Sequence, residues 1–173
     1  MSVAFIRIDE RLIHGQIIEA WIPQTHTNAV LIVDDELCIN TLKKTILSLT
    51  IPESIRLFIE DTNRAVELLL GETTSSYRMM ILFPSIEAIY RFYKTGIFSK
   101  IALPAINVGN LHKGDNNIQI TDSIFIDDVC VSRLTEMENA GLVFEFAPLP
   151  RSEVMNLGTI IDLFKGKDTD SKQ

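Results

Sequence analysis

The feature that most constrains the fold is an alternation between short apolar runs rich in branched residues and longer segments with helical periodicity. Strands that are buried on both faces read as continuous apolar runs, so this alternation is typical of a parallel sheet covered by helices on both sides. We therefore predict an α/β fold: a three-layer, open, doubly wound, mostly parallel sheet of about six strands. The strands are predicted at residues 3–8, 29–33, 55–59, 78–83, 100–103 and 142–146.

Between these runs, apolar residues recur at spacings of three and four, which predicts helices. The predicted helices are residues 15–22, 39–49, 63–70, 86–93, 128–139 and 154–164. The expected caps and stop signals are Asp61 or Thr62, Ser85 and Asp127 at helix starts, and Gly71, Gly96 and Gly141 at helix ends. Since proline lacks an amide hydrogen and clashes with the preceding turn, Pro23 is expected to end or kink the first helix near Ile22.

Residues 107–127 differ from the rest of the chain. A polar loop at 109–117 precedes two short apolar runs at 118–120 and 124–126, which predicts an extended excursion or hairpin. Residues 1–164 are predicted to form a single domain, and the polar segment 165–173 a disordered tail.

Composition narrows the class of protein. No apolar run approaches the 18 or more residues that a membrane span needs, and the N-terminal residues lack the basic region of a signal peptide, so a cytoplasmic location is expected. The net charge of −7 argues against nucleic-acid binding. Cys38 and Cys130 lie far apart in apolar helical patterns and are expected to be buried thiols.

Residues 5–16, FIRIDERLIHGQ, carry the clearest chemical signal. A neutral imidazole such as His14 is a good nucleophile near pH 7, and a phosphoryl group that it attacks needs positive charge and backbone donors around its oxygens. Arg7 and Arg11 can supply the charge. A helix that begins after His14 would supply free N–H groups and the positive end of its dipole, from Gly15, Gln16 and Ile17.

The same stretch resembles a known family. Arg-x-Asp-x-Arg-Leu-x-His-Gly-Gln, from Arg7 to Gln16, is similar to the start of the IIB component of the mannose/sorbose family of the bacterial sugar phosphotransferase system. Further matches follow at Trp21, at residues 32–36 and at residues 107–109. The resemblance implies that His14 is the phosphorylated residue, with Arg7, Asp9 and Arg11 beside it. At Asn110 the chain departs from the family, where a second glycine is more usual.

The resemblance also implies partners. A IIA protein would supply the phosphoryl group from a phosphohistidine, and the sugar taken up through the membrane IIC and IID components would receive it. The alternative is a regulatory module that keeps the phosphorylatable histidine and transports no sugar. A hydrolase with His14 as base would need a nucleophile that the sequence does not display.

The individual roles in the motif stay open at the level of sequence. Strand alternation places Arg7 and Asp9 on one face, which favours a phosphate-facing or site-closing role for Arg7, although both arginines could instead pair with Asp9 and Glu10. Asp9 could orient the imidazole or hold an arginine.

Ligands of an open parallel sheet bind at the carboxyl ends of its strands. The loop 104–110 is expected at that edge, and the candidate site walls are Asp34, Asp35, Pro84, Ser85, Asn107 and Gly109. Exposed apolar residues that partners could contact are expected at Ile13, Ile17 and Phe83. His26 and His112 are expected on the surface. Because arginines can take the place of a cation, we predict no metal at the paired carboxylates and no cofactor.

Overall fold

The computed structural model describes residues 2–71, 74, 76–112, 114 and 117–171. Its main sheet has seven strands in the order β3-β2-β4-β1-β5-β8-β9, and all neighbours are parallel except β8 and β9. The strands are β1 (Ser2–Asp9), β2 (Ala29–Val33), β3 (Arg56–Glu60), β4 (Arg78–Phe83), β5 (Ile106–Asn110), β6 (Ile118–Gln119), β7 (Phe125–Ile126), β8 (Phe144–Phe146) and β9 (Met155–Asn156). The predicted doubly wound α/β fold is confirmed.

Helices cover both faces of the sheet. They are α1 (Ile22–Thr25), α2 (Thr41–Thr50), α3 (Thr62–Leu70), α4 (Ile86–Lys94), α5 (Asp128–Asn139) and α6 (Leu157–Ser171). A π-helical segment, Ile17–Trp21, leads into α1, and short 3₁₀ turns lie at Leu37–Ile39 and Ile97–Ser99. The predicted caps at Asp61, Ser85 and Asp127 are confirmed, because each side chain accepts a backbone N–H from the first turn of its helix.

The two faces of β1 bury different kinds of side chain. Ile6 and Ile8 enter a core that α3, α4, α5 and α6 close on one side of the sheet. Phe5 lies on the other face and packs against the core that residues of the first helix complete. Arg7 and Asp9 share that second face by strand alternation, and both are fully buried there. The strand therefore brings two charged side chains into the interior beside the first helix.

The strand predicted at residues 100–103 is wrong. Ile97–Ser99 is a 3₁₀ turn, and the strand lies at Ile106–Asn110, within the segment expected to be a loop. A strand between β1 and β8 must pair on both sides, and residues 106–108 do so with Ile6–Ile8 and Phe144–Phe146. Pro104, which lacks an amide hydrogen, instead falls in the connection before the strand. The predicted hairpin is confirmed, since β6 and β7 form an antiparallel pair.

Pro23 does not end the first helix. Helical residues continue from Gly15 to Thr25, and His26 with φ 52° caps the helix in the left-handed conformation. The π-helical turn, in which the Ile22 N–H bonds the Ile17 carbonyl, ends at Trp21. Pro23 then lies in the first turn of α1, where a missing amide hydrogen is tolerated.

The final helix extends past the expected boundary at Phe164 and reaches Ser171, so the segment predicted as a disordered tail is helical up to that residue. Lys167 explains part of this extension, since its Nζ lies 2.6 Å from the carbonyl oxygen of Gln119 and so ties the helix to the hairpin. Residues 172 and 173 lie outside the described residues.

Candidate functional site

Asp9, the last residue of β1, is the centre of the site. Its carboxylate is fully buried and accepts Arg7 Nε and Nη2 on Oδ2, at 3.2 and 2.8 Å. Arg11 returns from the following turn and donates its backbone N–H and Nε to Oδ1, at 3.1 and 3.0 Å, and Nη2 to Oδ2 at 3.0 Å. A buried carboxylate would be costly unpaired, so the two guanidinium groups stabilise it.

The Arg7 side chain is fully buried and its donors are directed at protein oxygens. Besides the two hydrogen bonds to Asp9, Nη1 donates to the Asn107 side-chain oxygen and, at 3.2 Å, to the Ala147 carbonyl. Nη2 also donates to the Pro148 carbonyl at 3.2 Å. Burial lowers the pKa of the Arg7 guanidinium, while the Asp9 carboxylate opposes that change.

Two residues of β5, Asn107 and Gly109, lie against the Arg7 side chain. Asn107 is its neighbour across the β1–β5 pair, and its amide also donates to the Ala147 carbonyl at 3.1 Å. The register shifts between Ile8 and Asp9, so that Gly109 is the extra residue on β5. A Cβ at Gly109 would lie 1.9 Å from Arg7 Cζ, hence only glycine fits beside the guanidinium in this position.

Trp21 covers Arg7 from the first helix. The Arg7 Cζ lies 5.1 Å from the centre of the indole ring, within the range of a cation–π contact. Trp21 also stacks on Phe5 with ring centroids 4.4 Å apart. Because Trp21 is the last residue of the π-helical segment, that irregular turn determines which helix residue lies over the buried arginine.

His14 lies on the loop between β1 and the first helix. Its Nδ1 is 2.8 Å from the Leu12 carbonyl, which can only accept, so Nδ1 carries a proton in this geometry. Nε2 is 3.7 Å from Asp9 Oδ2 and 3.4 Å from Gln16 Oε1. Leu12 has φ 52°, which is rare for a branched residue, and this left-handed turn directs its carbonyl at the imidazole.

The start of the helix provides backbone donors beside His14. The Ile18 N–H bonds the His14 carbonyl at 3.1 Å. The amides of Gly15, Gln16 and Ile17 therefore precede the first such bond of the helix, where N–H groups can bind an anion. The Gln16 side chain also accepts from Arg11 Nη2 at 3.1 Å.

The residues predicted to form the walls of the site lie in different places. Asp34 and Pro84 line a cleft of about 380 Å³ together with Glu10 and Leu12. Ser85 caps α4 instead. Asp35 accepts hydrogen bonds from the N–H and hydroxyl of Thr62, at 2.8 and 2.9 Å.

The expected apolar contacts for partners are wrong. Ile17 and Phe83 are fully buried, and Ile13 is 5% exposed, because all three belong to the cores on either side of the sheet. Both cysteines are only partly buried. Burial raises the pKa of the Cys130 thiol to about 11.

His26 and His112 are exposed as expected. His112 Nδ1 lies 3.1 Å from Glu10 Oε1, which also accepts from Asn110 at 2.9 Å. The position that departs from the family pattern therefore contacts the loop next to Asp9. Two features of the site carry no signal in the sequence, because they depend on backbone geometry. They are the carbonyls of residues 147 and 148, which bind Arg7, and the left-handed turn at Leu12.

Among the described residues, no group of three or more His, Cys, Asp or Glu side chains could hold a metal ion. The predicted absence of a metal concerns the whole chain, so it stays a prediction. Within the same residues, no helix has the length and apolar character needed to cross a membrane.

Comparisons with known proteins show which family this chain is similar to. The family described as "PTS system sorbose subfamily IIB component" matches residues 3–173. The sorbose-specific EIIB component of Lacticaseibacillus casei is 23% identical over 97% of this chain and 100% of its own length. The mannose-specific EIIAB component of Escherichia coli K12 is 24% identical over 94% of this chain, which spans 50% of that relative.

Solved structures share the fold. The IIBSor domain of the sorbose permease from Klebsiella pneumoniae superposes with a TM-score of 0.85 at 19% identity, covering 94% of this chain and 98% of that one. The manxB protein of Thermoanaerobacter tengcongensis gives a TM-score of 0.84 at 24% identity, covering 93% and 95%.

Proposed function

The chain belongs to the sorbose subfamily of phosphotransferase-system IIB components, and on this basis we propose that it is a histidine phosphocarrier. His14 accepts a phosphoryl group from the phosphohistidine of a IIA protein and passes it to a sugar at membrane IIC and IID components. In the first step the phosphorus–nitrogen bond of the donor breaks and one to His14 forms. In the second step the bond to His14 breaks, a bond to a sugar oxygen forms, and the sugar hydroxyl loses its proton.

The observation that carries this proposal is the charged cluster beneath His14. Arg7, Asp9 and Arg11 together leave one net positive charge next to the imidazole, held by hydrogen bonds that fix its position. A preorganised cation lowers the energy of a transition state in which negative charge spreads over phosphoryl oxygens. The amides at the start of the helix add donors on the same side.

The contacts divide the roles within the cluster. Arg11 is 41% exposed at its side chain and can turn toward a phosphoryl group, whereas Arg7 is fully buried with its donors directed at protein oxygens. We assign phosphate contact to Arg11 and a supporting role to Arg7. Asp9 holds the two arginines, since its hydrogen bonds go to them and its distance to Nε2 is 3.7 Å.

The test is phosphorylation with phosphoenolpyruvate, the general phosphotransfer proteins and the cognate IIA protein, followed by intact-mass measurement. We expect one acid-labile phosphoryl group on the wild-type chain and none on His14→Ala. Phosphorylation at another residue, or none with an active cognate IIA protein, would overturn the assignment.

A second measurement addresses transport. Phosphorylated chain is added to vesicles that carry the cognate membrane components, with mannose, sorbose, fructose or N-acetylgalactosamine, the sugars in the names of its relatives. Loss of the phosphoryl group with formation of a sugar phosphate supports the carrier. A chain that is phosphorylated on His14 and gives no sugar phosphate with active vesicles would instead be a regulatory module.

A further inference from the structure

Glu10, the first residue after β1, is bound by two residues at and just beyond the end of β5. Its Oε1 accepts a hydrogen bond from Asn110 Nδ2 at 2.9 Å. The same oxygen lies 3.1 Å from His112 Nδ1, and because an ionised carboxylate only accepts, Nδ1 is the donor. The Glu10 N–H also donates to the Asn110 carbonyl at 3.3 Å. We refer to Glu10, Asn110 and His112 as the Glu10 clamp.

The two donors of the clamp stand on a fixed base. Leu111, which lies between them, is buried and forms an isolated β-bridge with the hairpin. Its N–H donates to the Ser123 carbonyl at 2.8 Å, and its carbonyl accepts the Phe125 N–H at 3.1 Å. The residues on either side of an extended residue face the same way, so the two neighbours of Leu111 are presented to Glu10 together.

The clamp holds the loop that carries the chemical groups. On the buried side of this loop, Asp9 Oδ1 accepts the Arg11 N–H at 3.1 Å, and the Asp9 carbonyl accepts the Leu12 N–H at 3.0 Å. The clamp lies on the more exposed side, since the side chains of Glu10 and His112 are 30% and 77% exposed. The loop is therefore anchored from two directions.

The second anchor matters because the loop is strained. Leu12 has φ 52°, and a residue in this conformation persists only where its surroundings over-determine it. The Leu12 carbonyl is also the group that lies 2.8 Å from His14 Nδ1. A loop without the clamp could relax toward an unstrained conformation, which would turn this carbonyl away from the imidazole and displace Arg11.

Charge alone would disfavour a carboxylate at position 10. Glu10 adjoins Arg11, and negative charge beside groups that bind a phosphoryl group opposes the negative charge on the phosphoryl oxygens. If Glu10 acted only through its charge, its removal would speed phosphoryl transfer. If it positions the loop, its removal would slow transfer. The two effects differ in sign, so a rate measurement separates them.

We propose that Glu10 is a positioning residue for phosphoryl transfer, held by Asn110 and His112 so that Arg11 and the Leu12 carbonyl keep the arrangement that receives the phosphoryl group. This inference rests on the function proposed above. Because Glu10 acts through other residues, its effect belongs in the rate constant at saturating IIA protein. The IIA concentration that gives half the maximal rate should stay unchanged.

The experiment measures single-turnover phosphorylation of His14 over a series of concentrations of phosphorylated IIA protein. Glu10→Ala removes the clamp, whereas Glu10→Gln removes the charge and keeps the accepting oxygen. Glu36→Ala is the matched control, because it removes an exposed carboxylate from the same cleft. We expect Glu10→Ala to be about tenfold slower at saturating IIA protein, Glu10→Gln to stay within about twofold of wild type, and Glu36→Ala to be no slower than wild type.

Variants of the two donors give a second readout, which also stands if Glu10→Ala fails to fold. Asn110→Ala and His112→Ala should each slow transfer, and neither should slow a Glu10→Ala chain further, because both act through Glu10. Urea unfolding of the same variants shows whether the rates follow stability.

Several results would overturn the positioning role. They are faster or unchanged transfer in Glu10→Ala, equal slowing in Glu36→Ala, a change confined to the half-saturating IIA concentration, and losses that add between Glu10 and its donors. A wild-type chain that active IIA protein does not phosphorylate would instead overturn the proposed function.

Discussion

At the scale of single residues, the site is organised around a buried carboxylate. Asp9 is fully buried and accepts hydrogen bonds from two arginines whose environments differ: Arg7 is enclosed by protein, whereas Arg11 reaches the surface. Removing one partner of a buried charged pair is far more costly than removing an exposed one. Replacing Arg7 should therefore affect mainly stability, whereas replacing Arg11 should affect mainly phosphoryl transfer.

Arg7→Ala should lower the free energy of unfolding by about 3–5 kcal/mol, because it leaves Asp9 and two backbone carbonyls with fewer donors. Arg11→Ala should cost less stability, because its side chain is 41% exposed and Asp9 keeps the two hydrogen bonds from Arg7, and it should slow His14 phosphorylation. Urea unfolding and the rate of phosphorylation by IIA measure the two effects. A stable Arg7→Ala chain with slow transfer would return Arg7 to a phosphate-facing role.

Gly109→Ala tests the space around the buried guanidinium. The new Cβ would lie 1.9 Å from Arg7 Cζ, so Arg7 or β5 must move, at a cost of about 1–3 kcal/mol. Gly15→Ala is the matched control for stability, since its Cβ would meet nothing within 4 Å. Urea unfolding of both variants gives the comparison, and equal stability would show that Arg7 relaxes freely.

At the scale of elements, irregular segments place the important side chains. The π-helical turn brings Trp21 over Arg7, and the bulge in β5 puts Gly109 beside it. The end of α6 holds the β6–β7 hairpin in place, because Lys167 Nζ donates to the carbonyls of Gln119 and Ile120, at 2.6 and 3.3 Å. A two-stranded hairpin is marginal alone, so contacts of this kind stabilise it.

Lys167→Ala should therefore loosen the hairpin without unfolding the sheet. We expect faster amide hydrogen exchange across residues 118–126 and unchanged exchange in β1 and β4. Lys100→Ala, a change at an exposed lysine elsewhere, serves as the control. Unchanged exchange in the hairpin would show that the helix extension is not what holds it.

At the scale of the whole molecule, the carboxyl edge of the sheet joins elements that are distant in sequence. Asp35, after β2, accepts the N–H and hydroxyl of Thr62 at the start of α3 and pairs with Arg91 of α4 at 3.3 Å. Burial disfavours its charged form, but the hydrogen bonds from Thr62 and the charge of Arg91 together lower the pKa of Asp35 below its usual 3.8.

This shift predicts a pH dependence of stability. Because the pKa of Asp35 is lower in the folded chain, its carboxylate stabilises the fold at pH values above about 3.8. This stabilisation is lost as the pH falls through the folded-state pKa. Asp35→Asn should thus be destabilising at pH 7 and less so at pH 3, as measured by urea unfolding. Glu67→Gln, at a surface ion pair, is the control and should show no such trend. An equal loss for Asp35→Asn at both pH values would contradict the linkage.

Sequence patterns were sufficient for most of the architecture because they report burial. The runs at 29–33 and 78–83 coincide with β2 and β4, and the helix at 128–139 coincides with α5. The sequence-based prediction misplaced strand β5, because Asn107 and Gly109 are unusual residues for a buried strand. Both residues lie against the buried Arg7 side chain. The pattern of β5 is therefore explained by a side chain one hundred residues away.

By itself, the sequence determined the fold class, the family resemblance and the chemical composition of the site around His14, because strand periodicity, helix caps and the motif are local. Only the tertiary structure decided that Arg7 faces inward, that Asp9 bonds both arginines, and that Leu42 and Leu49 face solvent. The physical reason is that direction and partner of a side chain depend on backbone geometry and on distant residues, which periodicity does not encode.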